Sequence, residues 1–262
     1  MLLEPRTAAP GALLRWSRQS LNLLRRGLGF WSALTLLMCL WMFFGHHLPL
    51  LSGMLAISAL LACTLIAAQL DRSGRIHLAD VLEMLQQHAG KLLTFAALIT
   101  LAGALVWLLL LARPEVAWWN ILYTERNSVE VLSSNGFVAL RQIFVYSAFA
   151  LGLCYFGLNI PGLTSFFQFP CMTLLGLPFR DAWRLAAAGQ IRNLGAMFGV
   201  ALLFMVLPAT FALLLPPLVP VLYSFLGALA YVAFREIFLG IGENQPLAVN
   251  AVAQPTPLSS RA

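Results

Sequence analysis

Residues 142–179 run for 38 positions without a charged side chain. About 20 helical residues cross a hydrocarbon core of about 30 Å, so this passage is too long for one simple span. Pro161, Gly162, Pro170 and Pro178 break it into pieces, because each proline removes a backbone donor and crowds the preceding turn. The passage predicts irregular backbone at membrane depth. Whether it crosses once or twice fixes the side on which every later residue lies.

The rest of the chain has the same grammar. Only 10% of the 262 residues are charged and 60% are hydrophobic, where soluble domains carry about 25% charge. Several uncharged runs of about 20 residues exceed what one water-soluble core absorbs, so the expectation is a polytopic membrane protein. The formal charge of +6 is compatible with nucleic acid, but there is no long basic tract alternating with aromatics. The basic residues instead end apolar runs, as membrane topology demands, and no nucleic-acid partner is expected.

The expected fold class is all-α: a polytopic helix bundle of about six spans with interfacial amphipathic helices. Residues 1–27 read as a cytoplasmic amphipathic leader, 28–239 as the transmembrane domain and 240–262 as a disordered cytoplasmic tail. Spans are expected over about 28–44, 50–70, 92–112, a broken 142–178, 194–215 and 221–238. In the leader, Leu13, Leu14, Leu21, Leu24 and Leu28 fall on one arc, with Arg15, Arg18, Arg25 and Arg26 beside it. Either this helix lies in the interface with its arginines on anionic headgroups, or it is a charged leader that only sets orientation. Arg25 and Arg26 precede a run that continues straight into more membrane, so an uncleaved first span fits better than a signal peptide. Residues 71–91 read as an interfacial helix leading into the third span, and residues 113–141, with Trp118 and Trp119, as the largest extramembrane loop.

Charge decides the crossings. If residues 142–179 cross once, thirteen of the sixteen Lys and Arg residues are cytoplasmic, leaving Arg113, Arg126 and Arg141 outside. If they cross twice, the split is eight and eight and the bias disappears. Positive residues accumulate on the cytoplasmic side, so six crossings with both ends inside is the better reading. One half of the long passage is then tilted, re-entrant or interfacial, with its break at Asn159–Gly162, or the whole is a kinked helix packed against neighbours. A weak repeat agrees: at an offset of 101 residues Asp80 overlies Asp181 and Lys91 overlies Arg192.

Chemistry is sparse. No aspartate, glutamate, lysine or arginine stands mid-span, where proton relays and ion pathways carry theirs. Asn159, Thr164, Ser165 and Gln168 form the polar cluster near membrane depth, either facing a headgroup or neutral ligand or bridging helices. Cys39, Cys63, Cys154 and Cys171 have no ligand or disulfide spacing and read as apolar packing. His46 with His47, and His77 with His88, lack further metal ligands in sequence, and Asp80, Glu83 and Asp181 read as acidic faces of interfacial helices. No catalytic residue, cofactor or metal is expected, and the expected partners are the bilayer with anionic lipids at the cytoplasmic face, and a protein or a second copy.

Three stretches carry a resemblance: "RWSRQSLNLLRRGLGFW", "LGLPFRDAWRLAAAGQIRNLGAMFGVALLF" and "LAYVAFREIF". They resemble uncharacterised bacterial inner-membrane proteins of the YciC-like kind and, more distantly, the membrane domain fused to some glycerophosphoryl diester phosphodiesterases. The shared pattern is a short helix and Asn-bearing turn before a span, here carried by Asp181, Ala182, Ala186 and Asn193, within a similarity covering most of residues 13–238. The resemblance implies a six-span bundle in the bacterial inner membrane and brings no catalytic residue. The first functional expectation is an envelope- or lipid-associated assembly factor without catalytic chemistry. The second is a permease or channel for a neutral or lipidic molecule, and the third a membrane-embedded lipid enzyme.

Overall fold

A computed structural model describes residues 4–45, 49–111, 165–214 and 219–240. The described residues form a helical bundle without strands. In chain order the helices are α1 (Ala12–Arg26), α2 (Leu28–Gly45), α3 (Pro49–Ser73), α4 (Leu78–Leu111), α5 (Gln168–Leu174), α6 (Phe179–Arg192), α7 (Leu194–Leu214) and α8 (Val219–Phe234). A π-helical turn, Arg235–Leu239, continues α8. The loop expected over 113–141, the tail 240–262 beyond Gly240, His46, His47 and Cys154 lie outside the described residues.

Helix α8 is the axis of the bundle. Fourteen of its sixteen residues are buried, and α3, α1, α2 and α7 all pack on it. An apolar helix buried all round belongs in the centre of a bundle, whereas one with a bare apolar side faces lipid or a partner. Helix α7 is of the second kind: Leu194, Phe198, Leu202 and Val206 recur every fourth residue and are exposed, and it runs through Pro208 without ending. Two segments, Met54–Ser73 and Val219–Leu239, are long and apolar enough to cross a membrane. Two bent pairs, α1 with α2 and α6 with α7, raise the candidates to as many as four.

The bends organise the molecule. Helices α1 and α2 meet at 93° around Gly27, and α6 and α7 meet at 100° around Asn193. Each elbow therefore joins an amphipathic helix, laid crosswise, to an apolar one that runs along the bundle. Both amphipathic helices gather at the end where α3 and α8 finish, since α8 hydrogen-bonds Asp71 of α3 and residue Arg6 bonds both Asn193 and the end of α8. Helix α3 ends there because Gly74 takes a left-handed conformation at φ 70° and donates its N–H to Leu70 O at 2.9 Å.

One feature differs from the sequence expectation. Residues 71–91 do not form a separate interfacial helix: after a short turn, α4 runs unbroken for 34 residues from Leu78 to Leu111. At about 1.5 Å per residue it is about 50 Å long, so its polar first half projects from the apolar part. The reason is local, because residues 86–95 ("QQHAGKLLTF") contain one glycine and no proline to break the helix. In contrast, the 101-residue repeat holds at the starts of α4 and α6, with Asp80 and Asp181 in their first turns, and fails at Lys91 and Arg192, where α4 continues and α6 stops.

Residues 165–177 fall within what the sequence left open, a broken passage that is tilted, re-entrant or packed against neighbours. Here the chain makes a seven-residue helix, α5, of about 10 Å, too short to cross a membrane. Phe166, Phe167 and Phe169 insert into the bundle instead. Phe166 meets the Phe204 ring edge-on at 5.5 Å, Phe167 meets Phe238 at 5.3 Å and Phe169 lies 6.0 Å from Phe95. Aromatic pairs of this geometry add about 0.5–1.5 kcal/mol each beyond their burial, so the segment plugs the space between α4, α7 and α8.

Candidate functional site at the charged end of the bundle

Two polar knots close the end where the elbows gather. The first is built on the last turns of α8. Tyr231 and Arg235 stand four residues apart, on one helix face, and both reach Asp71 at the end of α3. Tyr231 Oη donates to Asp71 Oδ2 at 2.8 Å, and Arg235 Nη1 donates to the same oxygen at 2.7 Å. Arg235 Nη2 donates to Gln19 Oε1 of α1 at 3.0 Å. The Asp71 and Arg235 side chains are each only 7% exposed. An ion pair this buried is held by the neighbours that complete it, since desolvation consumes most of the attraction.

Glu236, the next residue, points to a different neighbour. It accepts from Arg15 Nη2 at 2.7 Å and from Trp16 Nε1 at 2.9 Å, both on α1. Adjacent residues on one turn thus grip two helices, and α1 is fastened by Arg15, Trp16 and Gln19 together. Both carboxylates are occupied by cationic or N–H and O–H donors, which suits them to fastening helices more than to moving protons. Gln19 Nε2 and Arg235 Nε are buried donors without an acceptor among the described residues.

The second knot centres on Asn193. Its Nδ2 donates to Arg6 O at 2.9 Å and to Gly189 O at 2.8 Å, while its Oδ1 accepts from Ala8 N at 2.6 Å. Arg192 Nη1 donates to Pro5 O at 2.7 Å, and Arg6 N donates to Ile237 O at 2.8 Å. One carboxamide therefore reads a carbonyl and an amide of an extended strap, residues 4–10, and binds it across the second elbow. The Phe238 ring lies over Gly189 at the same place.

The sequence-selected residues divide among these features. Asn159 and Thr164 lie outside the described residues. Ser165 and Gln168 are buried and bonded to the protein: Ser165 N donates to Gln168 Oε1 at 3.1 Å, Ser165 Oγ donates to Gln190 Oε1 at 2.7 Å and Gln168 Nε2 donates to Phe179 O at 3.3 Å. They hold α5 onto α6. Arg15 turns inward to Glu236, Pro10 O and Ala9 O, whereas Arg18, Arg25 and Arg26 are exposed on α1. Lys91 donates to Met172 O at 3.0 Å and so ties α4 to α5. Among the described residues no group of three or more His, Cys, Asp or Glu side chains is placed to hold a metal.

Asp71, Tyr231, Gln19 and the strap were not singled out by sequence. The four-residue spacing of Tyr231 and Arg235 was the available signal: a hydroxyl and a guanidinium on one face at the end of an apolar helix call for a shared acidic partner. Compared with protein-family models, curated proteins and solved structures, the chain matches none.

Proposed function

We propose that this chain is a multipass protein of the bacterial inner membrane, crossing six times with both ends cytoplasmic. It works without catalytic chemistry, as an envelope- or lipid-associated assembly factor whose cytoplasmic end is a platform lying in the membrane interface. The observation that carries this reading is the pair of near-perpendicular elbows, 93° and 100°. If α2 and α7 run across a bilayer, α1 and α6 lie in its plane.

The faces of α1 support that placement. Trp16, Gln19, Ser20 and Leu23 pack inward, while Leu14 and Leu21 are 71% and 48% exposed on the opposite side, and Leu28, just past the elbow, is 61% exposed. A helix with a second, bare leucine face has that face in the acyl boundary. On α6 and into α7, Ile191, Leu194 and Phe198 are bare in the same way. The contacts also support a single net crossing of the long passage. The end of α3 and the second elbow lie at one end of the bundle, which favours a chain that returns to its starting side between them.

Reporter fusions after Gly162, Asn193 and Ala262 test the topology: cytoplasmic signals at Asn193 and Ala262 are expected, and periplasmic signals at both would sink the six-span arrangement. Purified protein in liposomes is expected to move no solute. A flux abolished by Gln168→Ala without loss of folding would replace the assembly-factor reading with a permease.

A further inference from the structure

We propose that the α1–α2 elbow, together with the α3–α4 turn packed against it, binds the phosphate of an anionic phospholipid headgroup. The inference rests on the interfacial placement of α1 given above and adds a defined site to it.

Four arginines converge on this corner from two segments. Arg25 and Arg26 end α1, and Arg72 and Arg75 flank the turn after α3. The two segments touch, because a Cβ at Gly27 would come within 3.0 Å of Ile76 Cδ1, the neighbour of Arg75. All four arginines are exposed, and no hydrogen bond or ion pair joins their side chains to a described residue. The turn itself is shaped by Ser73 Oγ, which donates to Arg75 O. His77 and Asp80 follow on the same turn, both exposed, so the corner remains net positive.

A second observation is independent of the arginines. Trp31, in the first turn of α2, packs its Nε1 against Gly27 and is only 4% exposed, yet that N–H has no acceptor among the described residues. A buried indole N–H ordinarily finds a partner. Guanidinium forks and a spare N–H are donors only, and the group that satisfies several of them together is a phosphate. Two exposed leucines, Leu21 on α1 and Leu28 at the start of α2, flank Arg25 and Arg26. A soluble phosphate has no use for them, whereas a phospholipid carries acyl chains that cover them.

The other elbow shows why the assignment is local. There Arg192 is engaged by Pro5 O and lies 3.9 Å from Glu4, and the strap covers the corner. The same right-angle geometry thus leaves open cationic donors at one elbow and closes them at the other.

The test is a lipid titration of the purified full chain in detergent, read by native mass spectrometry with phosphatidylglycerol and phosphatidylcholine. Phosphatidylglycerol is expected to be retained preferentially, and the quadruple substitution R25Q/R26Q/R72Q/R75Q is expected to weaken it on the order of tenfold or more. The pair R180Q/R184Q on α6 is the control and is expected to change retention less than about twofold. Unchanged retention in the quadruple variant, an equal loss in the control pair, or complete displacement of the lipid by inorganic phosphate overturns the site. A spin label at Leu21→Cys separates the two levels: a label in water defeats the interfacial platform itself, whereas a label in lipid with retention unchanged in the quadruple variant defeats only the headgroup site.

Discussion

The two elbows reach similar angles by different means. At the first, a glycine makes the corner, and α1 is fastened to the bundle by charge: Arg15 to Glu236, and Gln19 through Arg235 to Asp71. At the second, an asparagine makes the corner, and its carboxamide fastens the strap by neutral hydrogen bonds while Phe238 packs on Gly189. Charge fastening inside a bundle fails badly when one partner is removed, because the other is left buried and unpaired. Amide fastening leaves only neutral partners unpaired, a smaller penalty than a buried charge carries. The first elbow is therefore the more brittle attachment and the second the more graded one.

The largest expected effect follows from that brittleness. Asp71→Asn leaves Arg235 buried beside a neutral amide and also weakens the acceptor of Tyr231, so a loss of about 3–5 kcal/mol is expected, read as resistance to denaturant in detergent. The double change Asp71→Leu with Arg235→Met removes both charges and is expected to recover most of the loss, within about 1–2 kcal/mol of the parent. If the single change is nearly silent, the Asp71–Arg235 pair does not hold this corner, and the brittleness argued for the first elbow falls.

Asn193→Ala comes next. It removes three hydrogen bonds and leaves Ala8 N and Arg6 O to find new partners, at about 1–3 kcal/mol. The more telling readout is protection: residues 4–10 should become sensitive to protease while the packed face of α1 stays protected, since α1 has its own fastening to α8. Simultaneous release of α1 would mean that strap and helix form one unit.

Gly27→Ala is smaller again. The added Cβ would sit 3.0 Å from Ile76 Cδ1 and 3.1 Å from Trp31 Nε1, both on side chains that can shift, so about 1 kcal/mol or less is expected. Its value lies in the change of Trp31 fluorescence, which should respond although the backbone at Gly27, φ −116° and ψ 31°, is open to any residue. A silent tryptophan would show that the indole is not seated on the elbow.

What was legible in the sequence follows from what single-residue chemistry can express. The helices α2, α3, α7 and α8 cover residues close to the apolar runs because a charge-free run of that length has few other conformations. The leucine arc of α1 was visible in its period; of it Leu14 and Leu21 are exposed, as is Leu28 at the start of α2, whereas Leu13 and Leu24 pack on the core. The face that packs, Trp16, Gln19, Ser20 and Leu23, was not visible, because a polar residue pointing inward is recognisable only once its partner is known. Asp71 and Arg235 lie 164 residues apart, and Asn193 grips a strap 185 residues away; no local pattern encodes such pairings. Residues 165–177 stayed open between half a crossing and a packed, broken segment for the same reason: hydropathy cannot tell an aromatic plug that faces protein from a helix that faces lipid.

Arg192→Gln should be the gentlest perturbation and the sharpest discriminator. Arg192 touches the strap beside Asn193, donating to Pro5 O at 2.7 Å, but its side chain is 47% exposed and its acidic neighbour Glu4 is 81% exposed at 3.9 Å. Pairs in that setting contribute about 0–1 kcal/mol because water competes for both partners, and a glutamine retains a donor for the carbonyl. The variant should therefore stay within about 0.5 kcal/mol of the parent, with the strap as resistant to protease as before. If Arg192→Gln freed the strap as fully as Asn193→Ala, the second elbow would also be fastened by charge, and the different brittleness argued for the two corners would have no physical basis.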